Sequence, residues 1–237
     1  MNKKRFIYII AICIAVMTAG IIYFITVQTE KESVNNQVIE NQTIDNDTVD
    51  DDFDKDAKSL VVYFSVPETT SPNNMTRDED NSVHVVDGKV LGNTQYIASL
   101  IGEKTNSEVF RLEPVDAYPT DHDELLERAA NEMDNDVRPE IKDPIDISSY
   151  DVIFIGYPIW NADVPPIINT FLENNDFTGK TIIPFCTHGG SGIAGTPSTI
   201  QDKLPDAKVI TNGFALSRND MESSETEVNN WLEDIGY

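Results

Sequence analysis

Long apolar runs alternate with amphipathic segments from Ser59 to the C-terminus, and this alternation predicts the main elements. Five runs have the composition of buried strands: 60–65, 108–114, 150–160, 180–190 and 207–216. The segments that follow them carry apolar residues at helical spacing, as in Tyr96, Ile97, Leu100 and Ile101. Strands separated by helices of this length form parallel βαβ units. We therefore predict one α/β domain over residues 59–237, with a five-stranded parallel sheet between two layers of helices.

The first 27 residues have a different character from the rest of the chain. The basic start MNKKR precedes 22 uncharged, mostly apolar residues, Phe6–Val27. A helix of that length would measure roughly 33 Å, which matches a bilayer core of about 30 Å. We predict an uncleaved, single-pass membrane anchor with its N-terminus in the cytoplasm, because Lys3, Lys4 and Arg5 precede the apolar run. The alternative is a cleaved signal peptide, which would have a shorter apolar run and an A-x-A-like cleavage site.

Residues 28–58 are polar and contain ten acids against three lysines, so we predict a disordered, extended acidic linker. The whole chain has a formal net charge of −24, which argues against binding to a nucleic-acid backbone. Cys13 and Cys186 lie in different parts of the chain, so they offer no disulfide framework. His84, His122 and His188 are scattered without metal-ligand spacing, and we expect no metal site.

Polar and glycine-rich loops follow three of the predicted strands. In a parallel α/β sheet, ligands bind beyond the carboxyl ends of the strands, where the strand order reverses. The candidate residues of the first loop are Ser65, Gly92, Asn93 and Thr94. Those of the second loop are Pro158, Ile159, Trp160 and Asn161. Those of the third loop are Thr187, His188, Gly189, Gly190 and Gly192.

Each loop suggests a different contact with a ligand. The hydroxyls of Ser65 and Thr94, with the free N–H groups at the start of the helix that begins near Asn93, could hold an anion. Trp160 offers an aromatic wall, and the glycines of the third loop would let the backbone approach the edge of a planar ring. A phosphate at one end and a flat ring at the other describe flavin mononucleotide, FMN.

The two parts of the first loop are separated by 26 residues, 66–91. Within this insertion, the segment SVHVVDGKVL alternates apolar and polar residues around Asp87 and Gly88, which predicts a β-hairpin. A chain that leaves the sheet after Ser65 and returns through a hairpin to Gly92 could bring the two parts of the loop together.

The motifs YFS, GNT, GYPIW with a following FLE, and PFCTHGGSG, in this order, resemble the flavodoxin family over nearly all of 59–237. The resemblance implies a doubly wound sheet with strand order 2-1-3-4-5 and FMN as cofactor. It also implies that Ser65, Asn93 and Thr94 hold the phosphate, while Pro158–Asn161 and Thr187–Gly192 flank the ring. The chain departs from the family pattern in the insertion, and in Asn161, where many relatives have a second aromatic residue.

Three functions are compatible with this sequence. The first is an electron carrier at the outer face of the membrane, whose acidic surface would attract a redox partner with a basic surface and lower the potential of the flavin. The second is an NAD(P)H-dependent FMN or quinone oxidoreductase. The third is a flavodoxin-like module that binds a partner without redox chemistry. We favour the carrier because the three loops contain no Lys or Arg for the phosphates of a nicotinamide nucleotide.

Overall fold

The structure is a computed structural model, and it describes residues 57–237. The predicted membrane anchor, 1–27, and all but the last two residues of the predicted linker, 28–58, lie outside the described residues. Within residues 57–237, no helix is both long enough and apolar enough to cross a membrane.

The described part of the chain alternates strands and helices, as predicted. In chain order, the elements are β1 (Ser59–Tyr63), α1 (Arg77–Ser82), β2 (Val83–Val86), β3 (Lys89–Gly92), α2 (Asn93–Thr105), β4 (Glu108–Arg111), α3 (His122–Asp134), β5 (Val152–Pro158), α4 (Pro166–Glu173), β6 (Thr181–His188), α5 (Thr196–Lys203), β7 (Lys208–Val209), β8 (Phe214–Ser217) and α6 (Ser224–Asp234). A short 3-10 helix, Met221–Ser223, precedes α6.

The main sheet is parallel, with the order β4-β1-β5-β6, and both β7 and β8 pair with β6. This is the predicted order 2-1-3-4-5, so the flavodoxin-like sheet is confirmed. The prediction of a single fifth strand needs a correction, because that strand is divided into β7 and β8. The unpaired stretch between β7 and β8 lies beside Pro184 of β6, which has no N–H to donate to a neighbouring strand.

The core occupies both faces of the sheet. Alternate residues of β1 point in opposite directions, so Leu60 and Val62 join one apolar cluster and Val61 joins the other. The first cluster also takes apolar side chains from α3, α4 and α5, and the second takes them from α2 and α6. Helices therefore cover both faces, as expected of a doubly wound sheet.

The insertion between β1 and α2 contains α1 and the antiparallel hairpin of β2 and β3. Thr76 caps α1 by accepting a hydrogen bond from the Glu79 N–H, while the Glu79 carboxylate accepts one from the Thr76 N–H. Asp87 and Gly88 form the hairpin turn with φ of 50° and 75°, a conformation that suits a two-residue hairpin turn.

Candidate functional site

A cavity of about 240 Å³ opens at the carboxyl ends of β1, β5 and β6. Ten of the predicted site residues line it: Ser65, Asn93, Thr94, Pro158, Ile159, Trp160, Asn161, Thr187, His188 and Gly189. The other three do not line the cavity: Gly92 and Gly190 are each adjacent in the chain to a lining residue, and Gly192 lies three positions after Gly189. The structure thus brings residues of all three loops to one place.

The two parts of the first loop are in direct contact despite the insertion between them. A Cβ atom built on Gly92 would lie 2.2 Å from Ser65 Oγ, so the Gly92 backbone packs against the Ser65 side chain. Arg111 supports the same point, because its Nη2 donates a hydrogen bond to the Ser65 carbonyl oxygen at 3.0 Å. The end of β1 and the start of α2 therefore form one continuous wall.

Two buried threonines join the first loop to the third. The hydroxyls of Thr94 and Thr187 share a hydrogen bond of 2.7 Å, and only 1% and 5% of these residues is exposed. The second loop is joined to the third by a backbone bond, in which the Ile159 N–H donates to the Thr187 carbonyl oxygen at 2.9 Å. Thr187 is thus bonded to both of the other loops.

Asn93 is held in one orientation by the insertion. Its Nδ2 donates to the carbonyl oxygen of Asn81 at 2.9 Å, at the last turn of α1. Its Oδ1 is buried and has no hydrogen-bond partner among residues 57–237. Because buried polar atoms are normally paired, this oxygen is available for a donor such as a ligand hydroxyl or a water.

The second loop is a tight turn that carries Trp160. The backbones of Trp160 and Asp163 exchange two hydrogen bonds, of 3.0 and 2.8 Å, across Asn161 and Ala162. Asn161 has a φ of 46° and Ala162 a φ of 62°, both left-handed. The indole lies edge-on to the rings of Phe64 and Tyr118, with centroids 5.4 and 5.3 Å away. The rings of Phe64 and Tyr118 therefore restrict the orientation of the indole.

The third loop is stabilised by His188. Its Nδ1 accepts a hydrogen bond from the Gly190 N–H at 3.0 Å, so the proton of the neutral ring is on Nε2. Burial lowers the pKa of His188, and the nearby charge of Asp220 opposes that effect. A neutral His188 therefore fits this loop better than a protonated one.

Part of the cavity wall comes from residues that the sequence analysis did not identify. The insertion contributes Val66, Glu68, Asp78, Asn81 and Ser82, and α3 contributes His122, Leu125, Leu126 and Ala129. Glu68 Oε2 lies 3.0 Å from His122 Nδ1, which links the insertion to α3. Burial raises the pKa of Glu68, and the hydrogen bond with His122 opposes this rise.

Arg218 is a further lining residue that we did not predict. The three loops contain no Lys or Arg, as the sequence analysis stated, but Arg218 brings a cation to the cavity from outside them. Arg218 comes directly after β8, at the carboxyl edge of the sheet where the other site residues lie. Ligands bind beyond the carboxyl ends of parallel strands, and considering the end of the fifth strand as well would have identified Arg218.

Comparisons with known proteins agree with this fold. Two candidate flavoproteins, from Bacteroides uniformis and Bacteroides eggerthii, are 29% and 28% identical to the chain, with TM-scores of 0.58 and 0.54. The first comparison covers 75% of this chain and 98% of the other, and the second covers 76% and 99%. A flavoprotein from Lactobacillus acidophilus, solved in complex with FMN, is 22% identical, has a TM-score of 0.50, and aligns over 74% of this chain and 98% of its own.

A comparison with curated proteins finds no match. A family model described as Flavodoxin matches residues 83–235, from the start of β2 to the residue after the last helix, which is more than half of the chain. The chain therefore belongs to the flavodoxin family.

Proposed function

We propose that the cavity binds FMN and that the protein transfers electrons to or from a partner protein. The observation that carries this proposal is the convergence of three loops, each of a different chemical type, on one cavity. The hydroxyls of Ser65 and Thr94 and the N-terminus of α2 would hold the phosphate. Trp160 and the backbone of Gly189 and Gly190 would flank the ring.

The residues present fit this cofactor. The buried, unpaired Oδ1 of Asn93 needs a donor, and the sugar-alcohol chain of FMN has hydroxyl groups that could supply one. A cavity of about 240 Å³ is smaller than the usual range of roughly 300–1,000 Å³ for small-molecule sites, so a molecule as large as FMN would project from it. A projecting ring edge suits electron transfer to a partner.

The carboxyl groups of Glu68 and Asp78 line the cavity, and their negative charge would repel a phosphate. The raised pKa of Glu68 and its bond with His122 both reduce the unfavourable charge that it would present. When bound, FMN supplies one- and two-electron redox chemistry. The protein's residues would hold and orient it, and Trp160 and the insertion would shield part of it from water.

FMN binding can be tested with the purified full chain in detergent, by following the quenching of FMN fluorescence. Thr94→Val should weaken binding roughly ten- to a hundredfold, because it removes a hydroxyl bond to a charged phosphate worth about 1.5–3 kcal/mol. Ser99→Ala is the matched control, because Ser99 lies on the exposed side of the same helix. If the unmodified chain does not quench micromolar FMN, the proposal is wrong, and the module that binds a partner without flavin becomes the better explanation.

The second candidate is an NAD(P)H-dependent FMN or quinone oxidoreductase, and Arg218 is the observation that favours it. A guanidinium group beside the cavity could hold a phosphate of the nicotinamide nucleotide. A carrier should consume NADH or NADPH no faster than free FMN does. Rapid turnover of either nucleotide with a quinone acceptor would identify a reductase instead.

We also propose the cellular arrangement that the sequence predicts: a membrane anchor at 1–27, a linker at 28–58 and an FMN domain at the outer face. The basic start and the apolar run of Phe6–Val27 support this arrangement. The excess of acids supports a redox partner with a basic surface. Protease added to intact cells should cut within 28–58 and release the remaining domain. Full protection together with cytosolic fractionation would contradict this topology.

A further inference from the structure

We propose that Arg218 sets the redox potential of the site by stabilising the negative charge of reduced flavin. This inference rests on the proposed binding of FMN. Uptake of two electrons and one proton converts the neutral flavin ring into an anion at neutral pH, with the electrons supplied by a reductase or, in a test, by dithionite. A cation close to the ring favours that anion over the neutral oxidised form.

The position of Arg218 is fixed by its backbone. Its N–H donates a hydrogen bond of 2.9 Å to the carbonyl oxygen of His188, in the loop proposed to flank the ring. Its side chain then lies over Gly189, because a Cβ built on Gly189 would be 3.2 Å from Arg218 Cζ and 3.4 Å from one terminal nitrogen. The guanidinium group therefore lies beside the glycine backbone that is proposed to face the ring.

The side chain of Arg218 is exposed and, within the described part of the chain, is not held in an ion pair, although Asp220 lies two residues away. Among residues 57–237, its guanidinium group makes no hydrogen bond or ion pair, although five N–H donors are available there. It is also the only Lys or Arg that lines the cavity in this part of the chain. An exposed cation without an ion-pair partner, at the rim of a cavity proposed to hold a charged cofactor, can act on that cofactor, although water and the acids nearby reduce its effect.

The effect of Arg218 would oppose that of the chain as a whole. The net charge of −24 creates a field that disfavours a second negative charge on the ring. Exposed charges farther from the ring than roughly 8–10 Å are largely screened at ordinary ionic strength. A guanidinium group in contact with the Gly189 loop acts at shorter range and, once a ring covers it, with less water between the charges. The potential should therefore be higher than the net charge predicts.

The experiment compares three variants of the full chain, each loaded with FMN. Arg218→Met keeps a long side chain and removes the charge, whereas Arg218→Lys keeps the charge. Lys89→Met removes the same charge from the exposed hairpin, at a residue outside the cavity lining, and so controls for net charge. The midpoint potential is measured by equilibration with redox dyes, and the affinity is measured separately for oxidised and reduced FMN.

We expect Arg218→Met to lower the affinity for reduced FMN about tenfold more than the affinity for oxidised FMN. That change corresponds to a midpoint potential about 30 mV lower for a two-electron couple. Arg218→Lys should retain much of the potential of the unmodified chain, and Lys89→Met should shift it far less than Arg218→Met does.

The possible failures can be told apart. If the unmodified chain does not bind FMN, the proposed function itself fails. If FMN binds but Arg218→Met shifts the potential no more than Lys89→Met does, the inference about Arg218 is wrong. An unchanged potential with a raised KM for NADH or NADPH would also overturn it, and would make Arg218 a residue that binds the second substrate.

Discussion

The contact between Gly92 and Ser65 can be tested directly, because it holds together two parts of a loop that are separated by 26 residues. Gly92 has a φ of −63°, which alanine adopts without strain. The cost of Gly92→Ala should therefore come from its new Cβ, which would lie 2.2 Å from Ser65 Oγ and 3.3 Å from Ser65 Cβ. Overpacking of this kind typically costs about 1–3 kcal/mol.

A double-mutant cycle isolates that contact. Ser65→Gly removes both atoms that the new Cβ would meet, and the next atom is Pro67 Cδ at 3.5 Å, an ordinary contact distance. Urea unfolding of the purified chain should show that Gly92→Ala costs roughly 2 kcal/mol less in the Ser65→Gly background than in the unmodified chain. In the unmodified background, Gly92→Ala should also weaken FMN binding, because it separates Ser65 from the start of α2.

Gly88→Ala serves as the control for this cycle. Gly88 lies in the hairpin turn with a φ of 75°, and no atom lies within 4 Å of a Cβ built on it. Its cost should be about 1 kcal/mol from backbone strain, and should be equal in both backgrounds. If Gly92→Ala also costs the same in both backgrounds to within about 0.5 kcal/mol, Ser65 and Gly92 are not in contact and our account of the loop is wrong.

Three further predictions follow from single side chains. The hydrogen bond from the Gly190 N–H requires a neutral His188, whose pKa in the folded protein is lowered from 6.5. Its contribution to stability should be fully present above pH 6.5 and should be lost as the pH falls through the lowered pKa. The difference in unfolding free energy between the unmodified chain and His188→Ala should therefore decrease as the pH falls through that pKa. Trp160→Ala should lower the unfolding free energy by about 1–3 kcal/mol, measured in urea, because two ring contacts of this partly buried side chain are lost. Burial raises the pKa of Cys186 to about 12, so in a Cys13→Ser background iodoacetamide should label it at pH 8 only after unfolding.

The sequence predicts the order of elements well because the three central strands, β1, β5 and β6, are buried on both faces. Strand β5, for example, is a continuous apolar run from Val152 to Tyr157, and all six of these residues are buried. Residues 207–216 contain a signal for the division of the last strand, because Asn212–Gly213 is a turn dipeptide. Between the two pairings, residues 210–213 lie opposite only Ile183 and Pro184 of the neighbouring strand β6, and Pro184 has no N–H for pairing.

The three loops of the candidate site were predictable because each follows a strand, and strand ends share one edge of a parallel sheet. The rest of the wall was not. Glu68 and His122 meet at 3.0 Å although 54 positions separate them, and nothing in either local sequence indicates that contact. The roles of the loop residues toward FMN remain predictions, since only their convergence on one cavity is a property of the structure.

The insertion can form part of this wall without a large cost in stability. Lengthening a connection from about two residues to 26 costs roughly 2 kcal/mol in loop-closure entropy, because that cost grows only with the logarithm of the length. The bonds from Asn93 to Asn81 and from the Glu68 N–H to Ser82 Oγ, each worth about 1 kcal/mol, are of the size needed to offset it.

The wall that results places Glu68 and Asp78 in a cavity whose single arginine, within residues 57–237, comes from the far end of the sheet. Ligand selectivity and potential at this site should therefore follow from these few local charges rather than from the net charge of the chain.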